Sequence, residues 1–226
     1  MIITRAALLT IAFLTLLPGC VSSIPDQHSP EHKSVSVIDT MVEYVGPNNI
    51  QLDDSYYPRK VALAFPMVVG GIFGVAGDKA IFASELDQSL RINIDLTERE
   101  DEVNRTILPL SDEWRESGLH IEPQDTRIGR LGTFAYSLED GRQIGAGGFI
   151  DPATRRNLIL LYVDRACRLT GELSMENRTY RHELEFAEQG FHWIVVEETS
   201  RSSRLLKNYD GNKARFAIQI EELEVM

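Results

Sequence analysis

The chain has 226 residues, with 23 basic and 34 acidic side chains and a formal net charge of −11. This acidic balance argues against binding to nucleic acid or to anionic lipid headgroups, because both carry negative charge. The length is sufficient for one large domain or two small ones with a hydrophobic core.

The first nineteen residues have the pattern of an export signal. Arg5 precedes an uncharged apolar run over residues 6–17, and Cys20 follows three residues later. A short basic start, a short apolar core and a small residue at the cleavage point are typical of a secretory signal peptide. The run is too short to cross a bilayer as a helix, which needs roughly 20 apolar residues. We therefore predict a signal peptide over residues 1–19.

The motif LPGC over residues 17–20 resembles the lipobox of bacterial lipoproteins. The resemblance covers only the signal and implies cleavage before Cys20. It also implies a diacylglycerol on the Cys20 sulfur and usually a fatty acyl chain, such as palmitate, on its amine. Two or more chains hold a protein stably on a membrane. Val21 stands where an aspartate often retains such proteins in the inner membrane, so the resemblance favours the outer membrane.

The lipobox resemblance also implies the net charge and the segments of the mature chain. Cleavage would leave 22 basic and 34 acidic side chains, a net charge of −12. Residues 20–34 then form a lipidated cysteine and a flexible tether, because Pro, Ser, His and charged residues dominate without an apolar period. His28 and His32 would share a metal only on a helix, which Pro30 opposes. The domain spans residues 35–226 and faces the periplasm or the exterior; two lobes, about 35–110 and 118–226, are the alternative.

The N-terminal half of the domain predicts strands separated by loops. We expect strands over residues 35–45, 60–69 and 91–96, a charged loop over 97–105 and a short helix over 111–118. Phe82, Leu86 and Leu90 recur every four residues, so residues 78–90 are predicted as a short helix, and a strand over KAIFAS (residues 79–84) is the alternative. A glycine-rich loop follows residue 69. The stretch Val61–Gly77 has no charge, which leaves a membrane-associated helix open as an alternative.

The C-terminal half predicts a succession of strands with turn signals between them. They cover residues 118–123, 133–138, 143–150, 157–164, 168–175, 179–187, 192–199 and 214–223. In residues 180–186 apolar and charged side chains alternate, which indicates one buried and one solvated face. The fold class predicted is therefore mainly β, an antiparallel β-sandwich with one or two short helices.

Three side chains are candidates for a site or for the core. His182 and His192 lie on adjacent predicted strands joined by a tight turn, an arrangement that would let them approach each other across the ladder. A metal site there is opposed by strand alternation, which directs Glu183 to the opposite face from His182. We therefore interpret His182, His192 and Trp193 as core or interaction residues, and we predict no metal and no cofactor.

Cys167 has no partner within the chain if Cys20 is acylated, so a disulfide framework is excluded. Its apolar, strand-like neighbours predict a buried and unreactive thiol, with a reactive or intermolecular thiol as the alternative.

The motifs GxSxG and HExxH are absent from the chain, so whether it is an enzyme stays uncertain. The leading hypothesis is a non-catalytic binding or assembly subunit of a cell-envelope complex, with the lipid bilayer and other envelope proteins as partners. The alternatives are a periplasmic small-ligand-binding lipoprotein and a hydrolase whose site is assembled from distant residues. An exposed apolar patch would favour a protein partner, a cavity a ligand, and a convergent acid–base cluster catalysis.

Overall fold

The computed structural model describes residues 33–46, 50–51, 60–64, 67–69, 72–74, 81–110, 112–136, 143–151, 153–175, 177–209 and 217–222. The predicted signal peptide, Cys20 and the two tether histidines lie outside these residues. By its contacts, the part of the chain from residue 31 to residue 226 forms one compact unit.

Strands dominate the described part of the chain. They are β1 Val37–Gly46, β2 Ile50–Gln51, β3 Lys60–Ala64, β4 Met67–Val69, β5 Ile72–Gly74, β6 Phe82–Glu85, β7 Arg91–Asp95, β8 Leu108–Pro109, β9 Leu119–Glu122, β10 Arg127–Tyr136, β11 Gln143–Ile150, β12 Asn157–Val163, β13 Cys167–Met175, β14 Arg178–Phe186, β15 Gly190–Glu198, β16 Ser203–Asn208 and β17 Ala217–Glu222. Two short helices, α1 Glu100–Thr106 and α2 Asp112–Glu116, accompany them. The prediction of a mainly β protein with one or two short helices is confirmed.

Fifteen of the described strands belong to one large sheet, whose main path runs β2-β1-β17-β11-β10-β12-β15-β16-β14-β13-β9. Most pairs are antiparallel, as predicted, but β1 pairs with β17 and β14 pairs with β16 in parallel. The first half of β10 pairs with β8 and β12, and its second half pairs with β3 and β11. This long strand therefore passes from one part of the sheet into another.

The stretch Val61–Gly77 contains strands wherever it is described. β4 and β5 form a separate antiparallel hairpin, so part of the predicted glycine-rich loop is a strand. Within the residues that the structure places, no helix has the length and apolar character needed to span a bilayer.

β12 and β15 form a central layer that is buried on both faces. One face, with Leu160 of β12 and Trp193 of β15, belongs to a first hydrophobic cluster shared with β1, β3, β6 and β7. The other face, with Val163 of β12 and Ile194 of β15, belongs to a second cluster shared with β9, β13, β14 and β16. Strands buried on both faces are near-continuous apolar runs, as in NLILLYV of β12. Other strands of the same sheet pack against both faces of this layer, which gives a sandwich-like arrangement.

The predicted helix over residues 78–90 is wrong where the structure describes it, because residues 82–85 form β6. Phe82 lies opposite Leu63 of β3, and its ring contacts that of Phe191 edge to face at 5.9 Å. Strand pairing and burial of one aromatic ring outweigh the local helical spacing, which is a weak preference.

The predicted charged loop over residues 97–105 is also wrong, because a 3-10 turn leads there into α1. The Asp95 carboxylate accepts hydrogen bonds from the backbone N–H and the hydroxyl of Thr97 at 2.8 and 2.6 Å. The acidic first turn of α1 suits the positive end of a helix. Val103 is fully buried in the first cluster. A single apolar residue among charged residues shows no helical periodicity, so the sequence pattern does not predict this helix.

β16 lies between β15 and β14, antiparallel to the first and parallel to the second. No strand was predicted there, since SRLLKN is mostly polar. β14 and β15 follow each other directly in the chain, yet they are not neighbours in the sheet. The expectation that a tight turn pairs them is therefore wrong.

Candidate functional site

A cavity with a volume of about 420 Å³ lies at the second cluster, and we call it the aliphatic cavity. Small-molecule sites typically have roughly 300–1,000 Å³ and apolar walls with a few polar groups. Most of the walls are aliphatic, and the remaining lining residues are Gly129, Arg130, Tyr180 and His182. The aliphatic residues are Leu110, Leu119, Ile128, Ile159, Leu161, Leu169, Leu173, Leu184, Ile194, Val196 and Leu206.

Strand alternation on β14 supplies one wall of the cavity. Tyr180, His182 and Leu184 point inward and line it. Arg181 and Glu183 between them are exposed on the outer face. The predicted alternation of this strand is confirmed, and it places two polar side chains among aliphatic ones.

The opposite wall of the cavity comes from the face of β12 and β15 that belongs to the second cluster. Ile159 of β12 lies directly opposite Ile194 of β15, and both line the cavity. Leu161 lies opposite Arg130 of β10, so these two side chains share a face. The same period of two directs Ile128 to this face as well.

α2 and β9 lie between β8 and the start of β10 and complete the walls. Leu110, which follows β8, and Leu119, which opens β9, both line the cavity. The Arg115 guanidinium donates to the Leu110 carbonyl at 3.1 Å and also to the carbonyl of Gln124. One arginine therefore links both ends of this covering segment.

The close approach of β9 to β13 depends on a glycine. Gly171 has φ +112°, and a Cβ atom there would lie 2.0 Å from the backbone oxygen of Gly118. Any side chain would therefore push β9 outward. Gly171 lies opposite His182 in the β13–β14 pair, so this contact adjoins the polar part of the cavity.

The surroundings of His182 favour the neutral form of its imidazole. Its Nδ1 atom is buried and has no hydrogen-bond partner among the described residues. Burial lowers the pKa of His182 below its usual value, although backbone groups of Gly171 and Tyr180 oppose the shift. A protonated imidazole here would place a positive charge against apolar walls, which is unfavourable.

This lowered pKa predicts a loss of stability in mild acid. The unfolded chain binds the His182 proton first as the pH falls, so the stabilisation is complete above about pH 6.5 and is lost as the pH falls through the lower folded pKa. We expect the free energy of unfolding to fall between about pH 7 and pH 5 less steeply in His182→Leu than in the native chain.

Urea titrations across this pH range measure the difference. His120→Gln serves as the matched control, because His120 is exposed on β9. Equal slopes for the native chain and His182→Leu would contradict a neutral buried imidazole.

Arg130 marks the point where the cavity meets solvent, because it is exposed and also lines the cavity. Its guanidinium has no hydrogen bond or ion pair with any described residue. Burial of part of the side chain lowers the pKa of Arg130, and Tyr180 opposes the shift. Arg130 was not predicted as a site residue, since the strand was predicted to begin at residue 133. Extending the period of two back to Ile128 would have placed Arg130 on the same face as Ile128, but it would not have indicated a cavity there.

The structure places the three predicted candidates at different points. Trp193 is 3% exposed in the first cluster, where its ring contacts that of Phe149 edge to face at 4.7 Å. His192 is 2% exposed on the opposite face of β15, with its ring centroid 4.9 Å from that of Phe186. His182 lines the aliphatic cavity.

β16 separates the strands that carry His182 and His192, so the two do not face each other across one ladder. In the described part of the chain, no group of three His, Cys, Asp or Glu side chains has the arrangement of a metal site.

Cys167 is 6% exposed and opposite Phe186. Burial raises the pKa of Cys167 to about 12, an effect that the nearby Asp164 carboxylate reinforces. The thiolate is the reactive form, so this thiol is unreactive at neutral pH.

Tyr162, Glu100 and Gln189 form a polar group at the edge of the first cluster. The Tyr162 hydroxyl donates to Glu100 Oε1 at 3.1 Å, and Gln189 Nε2 donates to that hydroxyl at 3.0 Å. Burial and the Glu100 charge raise the pKa of Tyr162, so its hydroxyl keeps its proton. The group attaches α1 to β12. Because the Tyr162 hydroxyl keeps its proton, we interpret these hydrogen bonds as a structural contact and not as an acid–base pair.

No protein-family model, curated protein or solved structure matches this chain.

Proposed function

We propose that this protein is a lipid-anchored, non-catalytic binding protein of the cell envelope that holds a small apolar ligand in the aliphatic cavity. The anchor rests on the lipobox resemblance at Cys20. The binding activity rests on one observation, a cavity of about 420 Å³ with mostly aliphatic walls. Well-packed interiors contain few voids larger than a water molecule, so a space of this size favours the small-ligand alternative over the assembly subunit.

The size of the cavity limits the ligand. A group the size of a water molecule takes up about 30 Å³ of liquid, so the cavity accommodates on the order of a dozen methylene-sized groups. Burying each methylene contributes about 0.8 kcal/mol. A flexible acyl or alkyl chain of about this length fits both the volume and the aliphatic lining.

A photoreactive chain tests the proposal on the full protein in its own membranes. Dodecanoate carrying a diazirine is added to membranes from expressing cells and irradiated, and the labelled peptides are mapped by mass spectrometry. We expect labelling to concentrate on cavity residues of β12, β13 and β14. Leu161→Trp fills the cavity and should abolish this labelling.

Val37→Trp provides the matched control, because Val37 is 43% exposed on β1, a strand that supplies no residue of the described cavity lining. It should leave the labelling pattern unchanged. Labels spread evenly over the surface, or cavity labelling that survives Leu161→Trp, would refute the proposal. Circular dichroism of both variants separates loss of binding from loss of fold.

An assembly role is the second candidate, and one surface feature favours it. Val37 and Met41 share the same outward face of β1 and are 43% and 51% exposed. Chemical crosslinking in intact cells, followed by mass spectrometry, tests this role. A stoichiometric set of envelope proteins crosslinked through β1 would support it, and an absence of β1 crosslinks would oppose it.

A further inference from the structure

We infer that the ligand is a single-chain amphiphile with an anionic group, and that Arg130 binds this group at the mouth of the aliphatic cavity. The inference rests on the proposed function and adds the chemical class of the ligand. An acyl chain occupies the interior, and a carboxylate or phosphate remains at the solvent boundary.

The inference is based on the charges of the residues that line the aliphatic cavity. Arg130 is its only formally charged residue at neutral pH, and no carboxylate belongs to the described lining. Among the described residues, no hydrogen bond or ion pair involves its guanidinium. Arg127 on the same strand contrasts with it, because Arg127 binds Asp164 at 2.9 Å and Asn104 at 2.6 Å. Among the described residues, the strand therefore has one paired arginine, Arg127, and one without an ionic partner, Arg130.

The chemistry of arginine suits this position. A guanidinium offers a planar pair of N–H donors that matches a carboxylate or a phosphate. Apolar walls beside the pair reduce solvent screening and strengthen the attraction. A charge deep in the cavity would lose its hydration, so the anionic group stays near Arg130 while the chain enters. His182 is neutral and does not compete for the anion.

A competition experiment on the full chain in membranes tests the inference. The diazirine dodecanoate is displaced by unlabelled dodecanoate, dodecyl phosphate or dodecanol. We expect Arg130→Met to raise the half-displacing concentration of the anions on the order of tenfold or more, since hydrogen bonds to charged groups are the stronger class. Dodecanol should be affected less than about twofold, and Arg130→Lys should restore part of the anion affinity.

Each possible result of the competition experiment either supports or contradicts the inference. A larger effect of Arg130→Met on dodecanoate than on dodecyl phosphate identifies a carboxylate ligand, and the reverse identifies a phosphate. Equal displacement by dodecanol and dodecanoate, with no effect of Arg130→Met, overturns the inference while the proposed function stands. An equal loss for all three compounds also overturns it, because it indicates a structural role for Arg130. Absence of cavity labelling by any probe refutes the proposed function itself.

Discussion

Replacing Trp193 by alanine is expected to lower the free energy of unfolding by about 3–5 kcal/mol, the usual cost of removing a buried large aromatic side chain. Trp193 is 3% exposed, and it lies opposite Leu160, which is fully buried. Its ring contacts that of Phe149 edge to face at 4.7 Å. The variant loses the buried area and this ring contact, and it leaves a void in the central layer that its rigid neighbours cannot fill.

Urea titration of the native chain and the variant, each with its own denaturant slope, measures the loss. Trp193→Phe is the matched variant, because it keeps an aromatic ring and should cost less. Val37→Ala, at an exposed position on β1, should change the free energy by no more than about 0.5 kcal/mol. A loss below about 1 kcal/mol for Trp193→Ala would show that Trp193 is not part of the core.

Replacing Asp164 by alanine is expected to cost on the order of 2–3 kcal/mol, because the buried carboxylate accepts charge-assisted hydrogen bonds while its partner Arg127, whose side chain is 34% exposed, keeps part of its hydration. The Asp164 side chain is 2% exposed and accepts hydrogen bonds from the backbone N–H and Nε of Arg127, both at 2.9 Å. Arg127 also donates to the backbone oxygen of Asn104 at 2.7 Å. The pair therefore connects the end of β12 to β10 and α1.

The pH dependence of this pair has a definite sign. Burial raises the pKa of Asp164, but hydrogen bonds from Arg127 and Arg165 outweigh burial and hold it below its usual value. A lowered folded pKa means that the stabilisation is complete above about pH 4 and is lost as the pH falls through the folded value. We therefore expect the native chain to lose stability below about pH 4 more steeply than Asp164→Ala.

Asp125→Ala is the matched control for Asp164→Ala, because Asp125 pairs with Arg165 at 2.7 Å but is 72% exposed. An exposed pair is worth no more than about 1 kcal/mol. The double variant Arg127→Met with Asp164→Leu should cost less than Asp164→Ala alone, since it leaves no guanidinium without its ionic partner. Equal losses for Asp164→Ala and Asp125→Ala would contradict the buried pair.

The candidate site was predictable only in part. Alternation along residues 180–186 correctly placed His182 on a buried face, because the two faces of a strand follow directly from local order. The cavity itself was not predictable, since it needs β16 between β15 and β14 and β10 opposite β12. Arg130 acquires its position only from these pairings.

The errors in the N-terminal half have a related cause. Residues 82–85 pair with β3, about twenty positions earlier, and the buried Val103 joins α1 to strands from both halves of the chain. Neither contact leaves a local signal, so the spacing of apolar residues indicated a helix in one case and no structure in the other.

By itself, the sequence determined the β-rich class and the inward face of most strands, because these properties depend on composition and on a period of two within a few residues. The export signal over residues 1–19 stays a prediction from the sequence. Only the tertiary structure decided which strands are neighbours, that β12 and β15 are buried on both faces, and that aliphatic side chains surround a space beside Arg130. These features depend on long-range pairing, in which the burial of distant apolar surfaces outweighs local preference.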